Sequence, residues 1–134
     1  MLSARLLLIS SLVFSFVTPV VAQDVKPESR EALETAIPEG IRLLEAKEHK
    51  AFVEIFVYPA DLKKITEGAS LEEFAKKFGE RKAPRLLEIL KEIKGTKPSL
   101  DDNGTKATFA LKEEKDGKKS ITFVKIDKYW YIKN

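Results

Sequence analysis

Ile121-Thr122-Phe123-Val124-Lys125-Ile126-Asp127-Lys128-Tyr129-Trp130-Tyr131-Ile132 is the stretch that decides the fold. Apolar and polar residues alternate on both sides of Asp127-Lys128, the pattern of two short strands joined by a tight turn. A turn of two residues sets Ile126 against Tyr129, Lys125 against Trp130 and Phe123 against Ile132. Ile121, Phe123, Trp130 and Ile132 then share one face, and Val124, Ile126, Tyr129 and Tyr131 share the other.

Working backwards, Asn103-Gly104 and Asp116-Gly117 are further hairpin signals, since both residue types tolerate the positive φ of a tight turn. Four strands are expected, at residues 97–101, 106–113, 118–126 and 129–133. Ala107, Phe109 and Leu111 join the first face if the middle hairpin carries a bulge at Gly117.

Upstream of Gly95 the period changes. Leu33, Ile37, Ile41 and Leu44 form a helical stripe in which Pro38 is either a kink or the first turn of a new helix. Phe52, Val53, Phe56 and Val57 form a second stripe, which Pro59 breaks, with Leu62 and Ile65 continuing briefly. Ser70-Leu71-Glu72-Glu73 reads as a capping box opening a helix with Leu71, Phe74, Ala75 and Phe78 on one side. Gly79 and Pro84 punctuate that run before Leu86, Leu87, Leu90 and Ile93 resume it. Helices over residues 31–94 followed by an antiparallel meander over 97–134 give an α+β domain. Its N-terminal helices are expected on one face of a curved antiparallel sheet of about four strands, with 23–30 loose.

The beginning of the chain has another logic. Arg5 is the sole charged residue before Asp24, and a broken apolar run leads to Val20-Val21-Ala22. That is the pattern of a secretory signal peptide at 1–22, cleaved after Ala22. A membrane-spanning helix needs about 20 apolar residues, and Ser10, Ser11, Ser15 and Pro19 interrupt this one. The expected location is periplasmic or extracellular, with no membrane span in the mature part. The remaining 112 of the 134 residues suit one domain. They contain no Cys, which excludes thiol catalysis, disulfide staples and cysteine-based metal sites. Lys and Glu are interleaved and the net charge of the whole chain is only +3, so nucleic acid is not an expected partner.

Gly40-Ile41-Arg42-Leu43-Leu44-Glu45-Ala46, running through a short polar turn to Phe52, and the closing Phe123 to Ile132 hairpin resemble one family. It is the group of small exported bacterial domains of the cystatin-like, nuclear-transport-factor-2-like (SnoaL-like) superfamily whose function is not established. The likeness covers about Ile37 to the C-terminus. It implies a shortened cystatin-like cone and leaves function open, because such cones host isomerases, hydrolases, transport adaptors and interaction modules. Ketosteroid-isomerase-like members place a Tyr and an Asp inside the cone. No residue here matches them: Tyr129 and Tyr131 alternate away from the core, and Tyr58 and Asp61 sit at a helix break.

Candidate chemistry is sparse. His49, the only histidine, lies on the rim of the Phe52 and Val53 face with no second ligand at a fixed spacing. Glu72 and Glu73 belong to the capping box, while Asp101/Asp102 and Glu113/Glu114 flank turns where water is expected. Lys112, Lys115, Lys118 and Lys119 surround the Asp116-Gly117 turn, where lysines keep strands soluble. No catalytic, cofactor or metal residue is expected.

The functional expectation is an exported, non-enzymatic binding or interaction domain; the alternative is a small cone-fold hydrolase or isomerase acting on a small molecule. The outer cluster of Val124, Ile126, Tyr129 and Tyr131 is the expected interaction face, for a second copy or a protein partner; the alternative is that the segment from Asp24 to Leu33 folds back to cover it. A small ligand is also possible on this reading.

Overall fold

The computed structural model describes residues 27–115 and 117–133; the signal-peptide reading and its cleavage site fall outside them. A 3-10 helix (Pro27–Arg30) precedes five α-helices: α1 (Leu33–Glu45), α2 (His49–Phe56), α3 (Pro59–Gly68), α4 (Leu71–Arg81) and α5 (Ala83–Ile93). Four strands follow, β1 (Ser99–Leu100), β2 (Lys106–Lys115), β3 (Lys118–Ile126) and β4 (Tyr129–Lys133). They pair in sequence order as an open, curved antiparallel meander, so the molecule is α+β.

Helix α1 runs through Pro38 without a break. Its stripe of Leu33, Ile37, Ile41 and Leu44 is buried. Pro38 has no N–H for the carbonyl of Glu34, so that carbonyl is left out of the helical ladder. Gly40 lets α1 approach its neighbours closely: a Cβ there would sit 3.3 Å from both Leu90 Cδ1 and Phe52 Cε2. The helix ends in a turn with Lys47 at φ 60°, where the Glu48 N–H reaches back to the Leu43 carbonyl at 2.9 Å. Ser70 caps α4 by accepting the Glu73 N–H at 3.1 Å.

The core lies between the helices and one sheet face. Phe52 packs 5.1 Å from Phe56 and 5.6 Å from Phe78, ring centre to ring centre. From the sheet come Ala107, Phe109, Ile121, Phe123 and Trp130, all buried, with Phe109 edge-on to Phe123. Every buried side chain among the described residues is apolar or glycine, so this interior coheres through area removed from water.

The β3–β4 register is Ile126 with Tyr129, Lys125 with Trp130 and Phe123 with Ile132. The β2–β3 register needs a correction. The bulge is not at Gly117: Lys115 pairs directly with Lys118, and the register shifts between Ala110 and Lys115. Another element meets β2 there. The Glu92 carboxylate of α5 accepts the Lys112 N–H at 2.6 Å, with the Lys115 ammonium 3.5 Å from its other oxygen. The Lys112 N–H is thus satisfied by α5 inside the irregular stretch of β2.

The sheet's two edges differ. Val57 makes a parallel bridge to Ile132, and the Tyr58 N–H donates to the Ile132 carbonyl at 3.0 Å, covering the edge of β4. At the other edge β1 has two residues, preceded by Pro98.

Candidate interaction face

Strand alternation puts Val124, Ile126, Tyr129 and Tyr131 on the sheet face opposite the helices. Val124 pairs with Tyr131 and Ile126 with Tyr129, so the four form a compact block across β3 and β4. All four are half-buried. The same face continues into hydroxyls, with Thr122 beside Lys133 in one direction and Thr108 in the other.

The chain itself supplies part of the cover. Residues 27–30, expected to be loose, form the 3-10 helix, and its Arg30 lies over both tyrosines. The guanidinium carbon is 4.4 Å from the Tyr129 ring centre and 5.3 Å from that of Tyr131, within cation–π range. Its Nη2 donates to the Ile55 carbonyl near the end of α2 at 3.0 Å, where a cation also suits the helix dipole. The Nε–H is buried with no hydrogen-bond partner among the described residues. Thr35 fastens the same segment by donating to the Ser29 carbonyl at 2.7 Å. Nothing periodic in the sequence marks Arg30; its rings are brought to it by the fold.

Beside Val124 the face stays open. A half-open concavity of ≈ 390 Å³ is lined by Val124, Thr122, Thr105 and Asp101, with Lys106 and Lys133 among its walls. Asp101 is occupied structurally, its Oδ1 accepting the N–H groups of Thr105 at 2.9 Å and Lys106 at 3.1 Å. Lys133 places its ammonium 4.8 Å from the Tyr58 ring centre.

The remaining candidates are dispersed. His49 opens α2 and meets the Phe78 ring edge-on at 6.1 Å. Burial, followed by the nearby Lys47 charge, lowers its pKa. Glu72 pairs with Lys50 at 2.9 Å on the surface, and Glu113 and Glu114 are exposed in the irregular part of β2. Of the hairpin lysines, Lys115 is held by Glu92. Among the described residues no group of three or more His, Asp or Glu gathers where it could hold a metal ion. Nor is any helix among them long and apolar enough to cross a membrane.

Compared with known proteins, the chain matches no family model, no curated protein and no solved structure.

Proposed function

We propose that this chain is an exported, non-enzymatic binding domain that docks a second copy or a protein partner on its outer sheet face. One observation carries the reading: the Val124, Ile126, Tyr129 and Tyr131 block, its tyrosines partly covered by Arg30, adjoins an open concavity on the sheet face opposite the α-helices. Tyrosine suits a surface that is wet alone and dry in a complex, since the ring buries area while the hydroxyl keeps a partner. Export rests on the sequence of residues 1–22. The likeness to small cystatin-like domains carries no activity with it.

The test is light scattering and native mass spectrometry on the exported protein, native and as the Val124→Glu, Tyr131→Lys double variant. The reading expects a native assembly, or a retained partner, that the variant loses. A native monomer with no partner, or a variant that assembles unchanged, removes it. An intact mass beginning at Gln23 is the accompanying check on export.

A further inference from the structure

A second concavity, distinct from the outer face, opens where the first half of α1 meets the α5–β1 connection. It measures ≈ 380 Å³, and its floor is made of Leu33, Ile37 and Phe109, all buried core residues. Pro38 and Pro98 form half-buried apolar walls. The rim is charged and unequal, with Lys94 and Lys97, both exposed, against Glu34 alone.

We propose that this groove binds a small amphiphilic acid, an apolar chain or ring ending in a carboxylate. Small-molecule sites are concave and mostly apolar, of roughly 300–1,000 Å³, with a few polar groups that fix orientation. Each part is present. The apolar body lies on Phe109, Ile37 and Leu33 between the two prolines. The acid group meets Lys94 and Lys97 at the mouth, where two cations outweigh one carboxylate. The connection that forms this wall is fastened: Gly95 turns the chain at φ 82°, and Thr96 donates its N–H at 2.9 Å and its hydroxyl at 2.8 Å to the Ile93 carbonyl. The site shares no lining residue with the outer-face concavity, so it stands or falls independently of the proposed docking face.

The probe is sodium decanoate below its micelle concentration, titrated into the ¹⁵N-labelled protein, with decanol and phosphatidylglycerol vesicles as parallel arms. Saturable shifts at Gly95, Thr96 and Phe109 are expected with decanoate. Decanol should bind at least about tenfold more weakly, since tenfold corresponds to about 1.4 kcal/mol of the head-group contact. A Lys94→Glu, Lys97→Glu variant should lose decanoate binding to a similar degree, while Lys76→Glu, Lys119→Glu leaves it unchanged. Both pairs are exposed, so the fold is not at stake. Absence of saturable shifts overturns the proposal, as do shifts centred on Val124 and Tyr131. Equal binding of decanol and decanoate overturns the assignment of an acid. Binding to vesicles without binding to decanoate assigns the lysines to a lipid surface and overturns a site for a free small molecule.

Discussion

The ring of His49 fills the space that a side chain on Gly79 would need. A Cβ on Gly79 would come 2.6 Å from His49 Cε1, closer than real contacts allow. Gly79→Ala should therefore destabilise the protein, although the same change inside an unencumbered helix gains about 0.5–1 kcal/mol. His49→Ala should relieve the conflict, so the double variant is more stable than the sum of the singles predicts. Chemical denaturation of the four proteins in a double-mutant cycle measures that coupling. Additivity would mean that the ring leaves freely.

The same histidine gives a pH dependence of defined sign. Burial and Lys47 hold its pKa below the ordinary histidine value of 6.5, so between the two the unfolded chain binds more protons than the folded one. The stability this group contributes is complete above the unfolded pKa and falls as pH drops through it towards the folded value. Melting temperature should decline below pH 6.5, and His49→Gln should flatten that part of the profile. A histidine profile that rises on acidification contradicts the packing described for α2 and α4.

Glu92 is the brace of the long hairpin. The Lys112 N–H first, and then Lys115, hold its carboxyl below the usual range. The brace is therefore in force above the ordinary glutamate pKa and is lost as pH falls through the lowered one. Glu92→Ala should speed amide exchange at Lys112, and Glu92→Gln, which keeps an acceptor oxygen, should do so less. Native-state exchange reads the difference at one residue.

Trp130 tests the phase of the sheet. It is buried on the helix side of β4, and truncating a buried aromatic to Ala costs about 3–5 kcal/mol. Tyr129→Ala, one residue away on the other face, should cost less, because it removes part of a half-buried surface contact with Arg30. Equal losses in thermal or urea denaturation would place both residues in the core.

What could be read from the residues was whatever depends on near neighbours. Alternation between Ile121 and Ile132 gives the closing register, and the Leu33, Ile37, Ile41, Leu44 spacing gives the buried stripe of α1. Gly79 reads as punctuation because its reason for being glycine is His49, on another helix. The bulge is expected at Gly117, whose φ of 76° does suit a turn, yet the irregularity lies within β2, where Lys112 meets Glu92 from 20 residues upstream. Arg30 belongs to a polar stretch without period, and its two rings are about a hundred residues further along. The groove at Pro38 and Pro98 has no local signature either, since each proline has an ordinary meaning for its own segment. Three separate stretches create the hollow only when α1 settles beside the α5–β1 connection.

The finished edges of the sheet have a consequence for recognition. Growth of a sheet by one more strand requires a row of free N–H and C=O groups, and that is also how unprotected sheets polymerise into fibrils. Here Val57 and Tyr58 already lie along β4, while β1 offers two residues behind a proline that has no N–H to give. β1 and β4 therefore offer no long ladder of their own; the longest stretch that β1 leaves uncovered is β2 beyond Thr108, and there the Glu92 carboxylate already takes the Lys112 N–H. A strand added to this sheet would have to displace that carboxylate, so the fold sets a charged competitor against backbone pairing where the ladder is longest.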